Sequence, residues 1–534
     1  MENVEIIVLL LFGVTFLALL SYRYRFPFPI VLILAGLTIS FIPGLPLIAL
    51  KPEVVFFIFL PPLLYGAAWN TSWHDFKSNI RDISMAAIGL VFFTTGLVGV
   101  VAHYLIPDLS WAQAFLLGAI VSPPDAVAAT AVTKGLGLHP RVVTILEGES
   151  LVNDASGLIA YKYAIAAIMT GSFVLMDAGL QFVWVIVAGI AVGLLIGYLM
   201  FLVHRRFVCD PVIEVTLTFL TPFASYLLAE HFHVSGVLAV VTTGLYLSFR
   251  SGDIFSTQSR IQAYAVWDVV IFILNGLVFI LLGLQLKSIL DEIINGSLWQ
   301  LIYYGLVVSV VVVVVRFIWV FPVATLPRWM SRRIREREFF DPRYLVIFSW
   351  SGMRGVVSMA AALSIPLVTS SQDAFPNRSL IIFLTFCVII FTLLVQGLSL
   401  PWIVRKLKLP KHSIVEEEFR VRMQIVSASI SHIEENLALT DSALLTQIKN
   451  KYEIKYSRLQ NTELPAHFGE TKGDPVEEIF NRLTDLELEL IQVERKVIQQ
   501  LHRQGTASEE VLRKVEHELD LEESRLQMEF YQSR

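Results

Sequence analysis

The side chains best suited to chemistry lie in one stretch, Glu147-Gly148-Glu149-Ser150-Leu151-Val152-Asn153-Asp154, between Val142–Ile145 and the apolar run Leu158–Met169. If this whole segment is a membrane helix, it carries several carboxylates into or beside the bilayer. A charge there costs roughly 3 kcal/mol on insertion scales, and it persists only where it faces protein or water and has a task. Ser150 and Asp154 are four apart and share a helix face, with Asn153 beside them. Hydroxyl, amide and carboxylate oxygens are what a hard alkali cation takes as ligands, with backbone carbonyls and water completing the shell. A buried carboxylate is relieved equally by a proton or by a cation. The bare anion is then the species that should not cross alone, so Asp154 is expected to carry one passenger or the other, never both. This requires Asp154 to titrate near neutral pH, well away from its reference value of about 3.9. Asn153 is neutral and adds no second proton. One proton then trades for one monovalent cation and the cycle is electroneutral, provided Asp125 and Glu149 do not titrate during it.

Such a site needs elements that bring a second set of oxygens to it. We read thirteen apolar spans, at 4–20, 29–47, 53–69, 83–106, 111–133, 142–169, 179–203, 211–230, 234–249, 261–286, 298–325, 344–367 and 379–403. Spans 1–6 and 8–13 form two copies of one unit in an inverted repeat, with span 7 between them. Paired Gly/Pro-interrupted helices at matching places in two halves point to a transport site. The fifth span of the first unit carries Ser122-Pro123-Pro124-Asp125, and the fifth of the second carries Ser349-Trp350-Ser351-Gly352-Met353-Arg354-Gly355. Tandem prolines remove helix hydrogen bonds and free carbonyls, so a ligand from Pro124 is its backbone oxygen. Asp125 stands where a half-helix begins, a position that favours an anion. It either caps that helix or contacts the cation directly or through water. A guanidinium in the membrane needs an anion, and we pair Arg354 with Glu149 to join spans 6 and 12. Asp268, Asn275, Ser351 and Ser358 are expected to face the same core. Lys162 is expected to pair elsewhere or reach the outer interface, and Arg316 is left unassigned.

The composition agrees with an all-α membrane protein. Of 534 residues, 55% are hydrophobic and only 16% charged, against about 25% charged in soluble domains. The apolar bulk ends near Val404. Residues 411–534 hold 16 Lys/Arg against 24 Asp/Glu, a net −8, and the remainder is +3. We therefore divide the chain into a membrane domain, 1–410, and a helical tail, 411–534. In the tail, Ile414–Leu439 and Val476–Leu501 show three-and-four apolar spacing and Glu509–Tyr531 is a charged amphipathic stretch. Alternate loops carry sixteen Lys/Arg and the intervening loops three. That asymmetry places the N-terminus outside and the tail in the cytoplasm of a multi-pass cell-membrane protein. Residues 4–20 lack a basic n-region and a small-residue cleavage site and read as a retained first span. Nothing is basic enough for nucleic acid. Cys209 and Cys387 lie in separate apolar segments without metal spacing, and no cofactor is implied.

Four motifs, in chain order, resemble those of the monovalent cation:proton antiporter-1 family, the Na+/H+ exchangers, in their bacterial form. They are Leu60-Pro61-Pro62-Leu63-Leu64, Ser122-Pro123-Pro124-Asp125, Glu147 through Asp154, and Gly352-Met353-Arg354-Gly355. The resemblance covers about three quarters of the chain. It implies a homodimer with a dimerisation domain and a six-helix core that moves like an elevator. Asn153 and Asp154 match the family's Asn-Asp pair, Asp125 its unwound-helix aspartate, and Arg354 its membrane arginine. Two departures stand out. Pro124-Asp125-Ala126 replaces the Thr-Asp-Pro of many members, and Tyr65 and Gly66 stand where some archaeal members have a glutamate. Both predict a wetter cation shell. The expected function is 1:1 exchange of Na+, or of Li+ or K+, for a proton. Two other classes compete. An intramembrane aspartyl protease would use Asp125 and Asp154 as a dyad, but the Gly-x-Gly-Asp run expected around one aspartate is absent. A passive channel or membrane sensor would conduct without counter-transport.

Overall fold

The computed structural model describes residues 2–24, 26–42, 52–133, 138–171, 175–207, 210–292, 298–330, 341–369, 374–409, 414–436, 452, 476–505 and 507–532. Among these the chain is helical, apart from turns and one isolated bridge between Val368 and Ala374. In order run α1 (Glu2–Tyr24), α2 (Phe28–Ser40), α3 (Val55–Asn70), α4 (Ile80–Leu105), α5 (Trp111–Val121), α6 (Ala126–Thr133), α7 (Pro140–Thr170), α8 (Leu175–Phe207), α9 (Pro211–His231), α10 (Gly236–Phe249), α11 (Thr257–Glu292), α12 (Leu298–Met330), α13 (Pro342–Trp350), α14 (Val356–Leu363), α15 (Arg378–Leu407), α16 (Ile414–Asn436), α17 (Val476–Gln504) and α18 (Glu509–Gln532). Helices overlap each of the thirteen apolar segments. Six of them, within α4, α8, α9, α11, α12 and α15, are long and apolar enough to cross a membrane. α7 falls outside that set although it has 31 residues, because its middle carries the charged stretch.

Segments 5 and 12 are each two helices. α5 opens on a capping box, with Gln113 N–H donating to Ser110 Oγ at 3.3 Å and Ser110 N–H to Gln113 Oε1 at 3.0 Å. It stops at Val121, where Pro123 and Pro124 cannot donate. α13 is N-capped by Asp341, which accepts from Arg343 N–H at 2.9 Å. It ends at Trp350, and α14 starts after Gly355. α7 is continuous between them. It has Pro140 in its first turn and ends at Gly171 in the left-handed conformation, φ 68°. Around these elements Leu116, Leu117, Ile120, Phe279, Met359 and Ile381 belong to one buried apolar core.

The chain forms two compact units. The first takes in Met1–Val203, Leu217–Phe249 and Trp267–Lys411. The second gathers His204–Thr216, Arg250–Val266 and His412–Arg534. The sequence boundary near 410 thus separates the tail in chain order only, since two short stretches of the helical hairpins fold with it. Inside this second unit Val421, Ile425, Ile498, Leu501, Leu512 and Val515 make an apolar seam. A buried ionic network lies in the same unit. Arg260 grips Asp520 with Nε at 3.0 Å and Nη2 at 2.5 Å. Arg495 Nη2 donates to the same Asp520 oxygen at 2.5 Å and also to Glu523. Thr257 Oγ1 donates to Glu523 at 2.8 Å.

Candidate functional site

The two helix breaks meet. Asp125 N–H donates to Met353 O at 2.7 Å. The Asp125 carboxylate accepts from Val127 N–H at 2.8 Å and from the N–H groups of Ala128 and Val356. One acid therefore satisfies first-turn donors of both α6 and α14, the ends where helix dipoles favour an anion. Gly355 makes this possible, because a Cβ there would land on the Asp125 carboxylate. Arg354 serves the opposite ends. Its Nε donates to Val121 O at 2.9 Å, Nη2 to Ser122 O at 3.2 Å, and Nη1 to Gly352 O. These carbonyls close α5 and belong to the turn that follows α13, where a cation is favoured. Arg354 N–H is taken by Thr392 Oγ1 of α15 at 3.1 Å.

α7 lies tight against this crossing. A Cβ at Gly157 would sit 2.9 Å from Pro123 Cγ, so only glycine allows the approach without displacing the proline ring. One turn earlier the fully buried Asn153 donates its Nδ2 to Pro124 O at 2.8 Å. Among the described residues, nothing donates a hydrogen bond to Asn153 Oδ1. Asp154 is 7% exposed, and its carboxylate lies within electrostatic reach of Asp125. Ser150, half-buried, stands one turn before Asp154 on the same helix. The structure thus brings Asn153 and Asp154 to the break that holds Pro124 and Asp125. Carboxylate, amide and backbone oxygens converge there, the donor types of an alkali-cation site.

One assignment is corrected. Glu149 does not pair with Arg354. Its two oxygens take Arg316 Nη1 and Nη2 at 2.6 Å each, with both side chains 1% exposed. Arg316 Nε donates to Phe348 O at 3.1 Å, which adds α13 to the link between α7 and α12. Arg354 is instead occupied by the carbonyls of the break itself. The signal for Arg316 is present in the sequence: a guanidinium in the middle of a valine-rich helix must find an anion. Thr392 carries no such signal. Ser351 Oγ returns to its own helix, donating to Ile347 O at 2.7 Å, and Ser358 is buried on α14. Lys162 is exposed on α7.

Residues 7–406 match the family model described as sodium/hydrogen exchanger, transmembrane. The chain belongs to the sodium/hydrogen exchanger family. As a member, this exchanger is a multi-pass membrane protein of monovalent cation/proton antiport, and not an enzyme. It is 33% identical over 530 residues to an uncharacterised Na+/H+ exchanger of Mycobacterium tuberculosis, covering 98% of this chain and 96% of that one. It is 32% identical over 474 residues to a sodium, potassium, lithium and rubidium/H+ antiporter of Bacillus subtilis, covering 85% and 70%. The fold is similar to that of the sodium proton antiporter MjNhaP1 from Methanocaldococcus jannaschii. The TM-score is 0.60 at 20% identity, over 76% of the exchanger and 99% of that chain.

Proposed function

We propose that the protein exchanges one alkali cation for one proton, electroneutrally, by competition at Asp154. The observation that carries this reading is the buried Asp154 carboxylate beside the crossing, next to an Asn153 whose carbonyl oxygen has no hydrogen-bond donor among the described residues. Asp125 has its oxygens engaged by three backbone N–H groups, which leaves Asp154 to change its passenger. Asp154, Asn153, Ser150, Asp125 and the Pro124 carbonyl form the cation shell, completed by water. Glu149 and Arg316 hold α7 to α12, and Arg354 holds the crossing. Helices over every apolar segment support thirteen spans in an inverted repeat. The loop-charge asymmetry supports an N-terminus outside and a cytoplasmic, regulatory tail. The resemblance supports a homodimer. The four cations in the Bacillus subtilis relative's name favour a site that accepts Na+, Li+ and K+.

Purified protein in proteoliposomes with an internal pH dye tests the proposal. A cation gradient should drive proton movement that an uncoupler does not accelerate and that generates no membrane potential. Asp154→Asn should abolish it. Cation-driven proton flux that persists in Asp154→Asn would reject competition at this carboxylate, and a current accompanying transport would reject the 1:1 exchange.

A further inference from the structure

Gln396 is fully buried on α15, and among the described residues neither its Oε1 nor its Nε2 finds a hydrogen-bond partner. An amide in that state inside a dry core costs several kcal/mol and is rare. Its setting is specific. Residues Thr392–Gln396 form a π-helical turn, a distortion frequent at functional sites. On one side of it Thr392 accepts from Arg354 N–H at 3.1 Å. On the other, Ser399 accepts from Trp350 Nε1 at 2.8 Å. A Cβ at Gly397 would lie 3.7 Å from Met353 Sδ. Gln396 therefore sits between the points that pin the second helix break to α15. It heads the buried stripe Gln396, Leu400 and Val404, and the helical stretch that follows it, Gly397–Leu407, packs against both α6 and α13.

We propose that Gln396 holds water on the α15 side of the crossing, in the hydrated approach by which cation and proton reach Asp154. The chemistry selects water over a bare cation. The amide offers two N–H donors as well as an acceptor oxygen, and a cation can satisfy only the oxygen. Water, including a cation's retained water, satisfies both. The role in transport rests on the exchange proposed at Asp154, but the presence of water does not, so the two fail separately.

The test is cysteine accessibility in the full-length protein. Gln396→Cys is made with Cys209 and Cys387 replaced by Ala, and treated in membranes with a small cationic methanethiosulfonate. Modification is expected, and Leu393→Cys, on the same turn, should stay unreacted. An unreactive Gln396→Cys in folded protein would overturn the proposal. Hydroxyl-radical footprinting of the unsubstituted protein gives the same decision if that variant does not fold. Met353, buried but beside Gly397, should oxidise several-fold faster than the equally buried Met359. Equal rates would overturn the proposal. For transport, Gln396→Met keeps the length and removes the hydrogen bonds. It should raise the apparent KM for Na+ about fivefold, near the loss of one net hydrogen bond, with little change in maximal rate. An unchanged KM with water shown at Gln396 would remove it from the cation's route.

Discussion

Glu149 and Arg316 bury two formal charges where either alone would be costly, and their paired 2.6 Å contacts make each the other's solvent. Removing one partner of a buried pair costs about 3–5 kcal/mol. Glu149→Gln and Arg316→Met are therefore each expected to lower the thermal unfolding midpoint in detergent, with a double variant less damaged than the sum of the two. Additive losses would show that the pair is not coupled. Arg316→Lys keeps the charge but loses the planar fork that also reaches Phe348 O, so it should rescue only in part. At Asp154, the proposed competition fixes the sign of the pH response. Under that proposal, lowering pH protonates the carboxylate and leaves fewer empty sites. In the acid limb the apparent KM for Na+ should rise about tenfold per pH unit, by mass action, and it should level off at alkaline pH. A KM independent of pH, measured as dye response against Na+ concentration, would count against a shared site.

The helices owe their arrangement at the crossing to complementary ends. α6 and α14 present N–H groups to Asp125, and Arg354 takes carbonyls at the end of α5 and in the turn after α13. The opposite charges of the two breaks are thus each spent on the partner break as well as on their own. Gly355→Ala would push a methyl group into the Asp125 carboxylate. It is expected to separate α6 from α14 and abolish transport, with faster amide exchange over 356–363. Normal exchange and transport in that variant would mean the close approach is not needed. Ser110→Ala removes one half of the capping box of α5 and should cost about 1 kcal/mol without changing cation affinity.

At the scale of the molecule, the second compact unit ties the tail helices to stretches from the ends of α8, α9 and α11. Beside its apolar seam it holds a buried ionic cluster. Arg260 and Asp520 are nearly buried and share their charges with Arg495 and Glu523. Asp520→Asn leaves two guanidinium groups facing a neutral amide. Amide exchange over 509–532 should then quicken, measured by mass spectrometry on the full chain. Exchange at the unsubstituted rate would show that the apolar seam of Val421, Ile425 and Leu512 holds α18 by itself.

Several features are local and so are legible in the amino-acid order. The i, i+4 relation of Ser150 and Asp154 follows from helix geometry. The breaks at Ser122–Asp125 and Ser351–Gly355 fall where tandem prolines and a Gly-Met-Arg-Gly run weaken a helix. The tail's periodicity anticipates α17, which runs Val476–Gln504. Other features depend on which helices become neighbours, and no local rule encodes that. Glu149 chooses Arg316 over Arg354 because α7 packs so that its carboxylate meets α12, while the carbonyls of the break have already claimed the other guanidinium. Asp125 reaches Val356 N–H only because two interrupted helices cross at a glycine. Thr392 and Gln396 are ordinary residues in an apolar run until folding sets them against that crossing. The sequence by itself determined the chemistry on offer and where a helix was weakest. The tertiary structure decided the pairing, since a buried charge is satisfied by whatever the packing brings within about 3 Å of it.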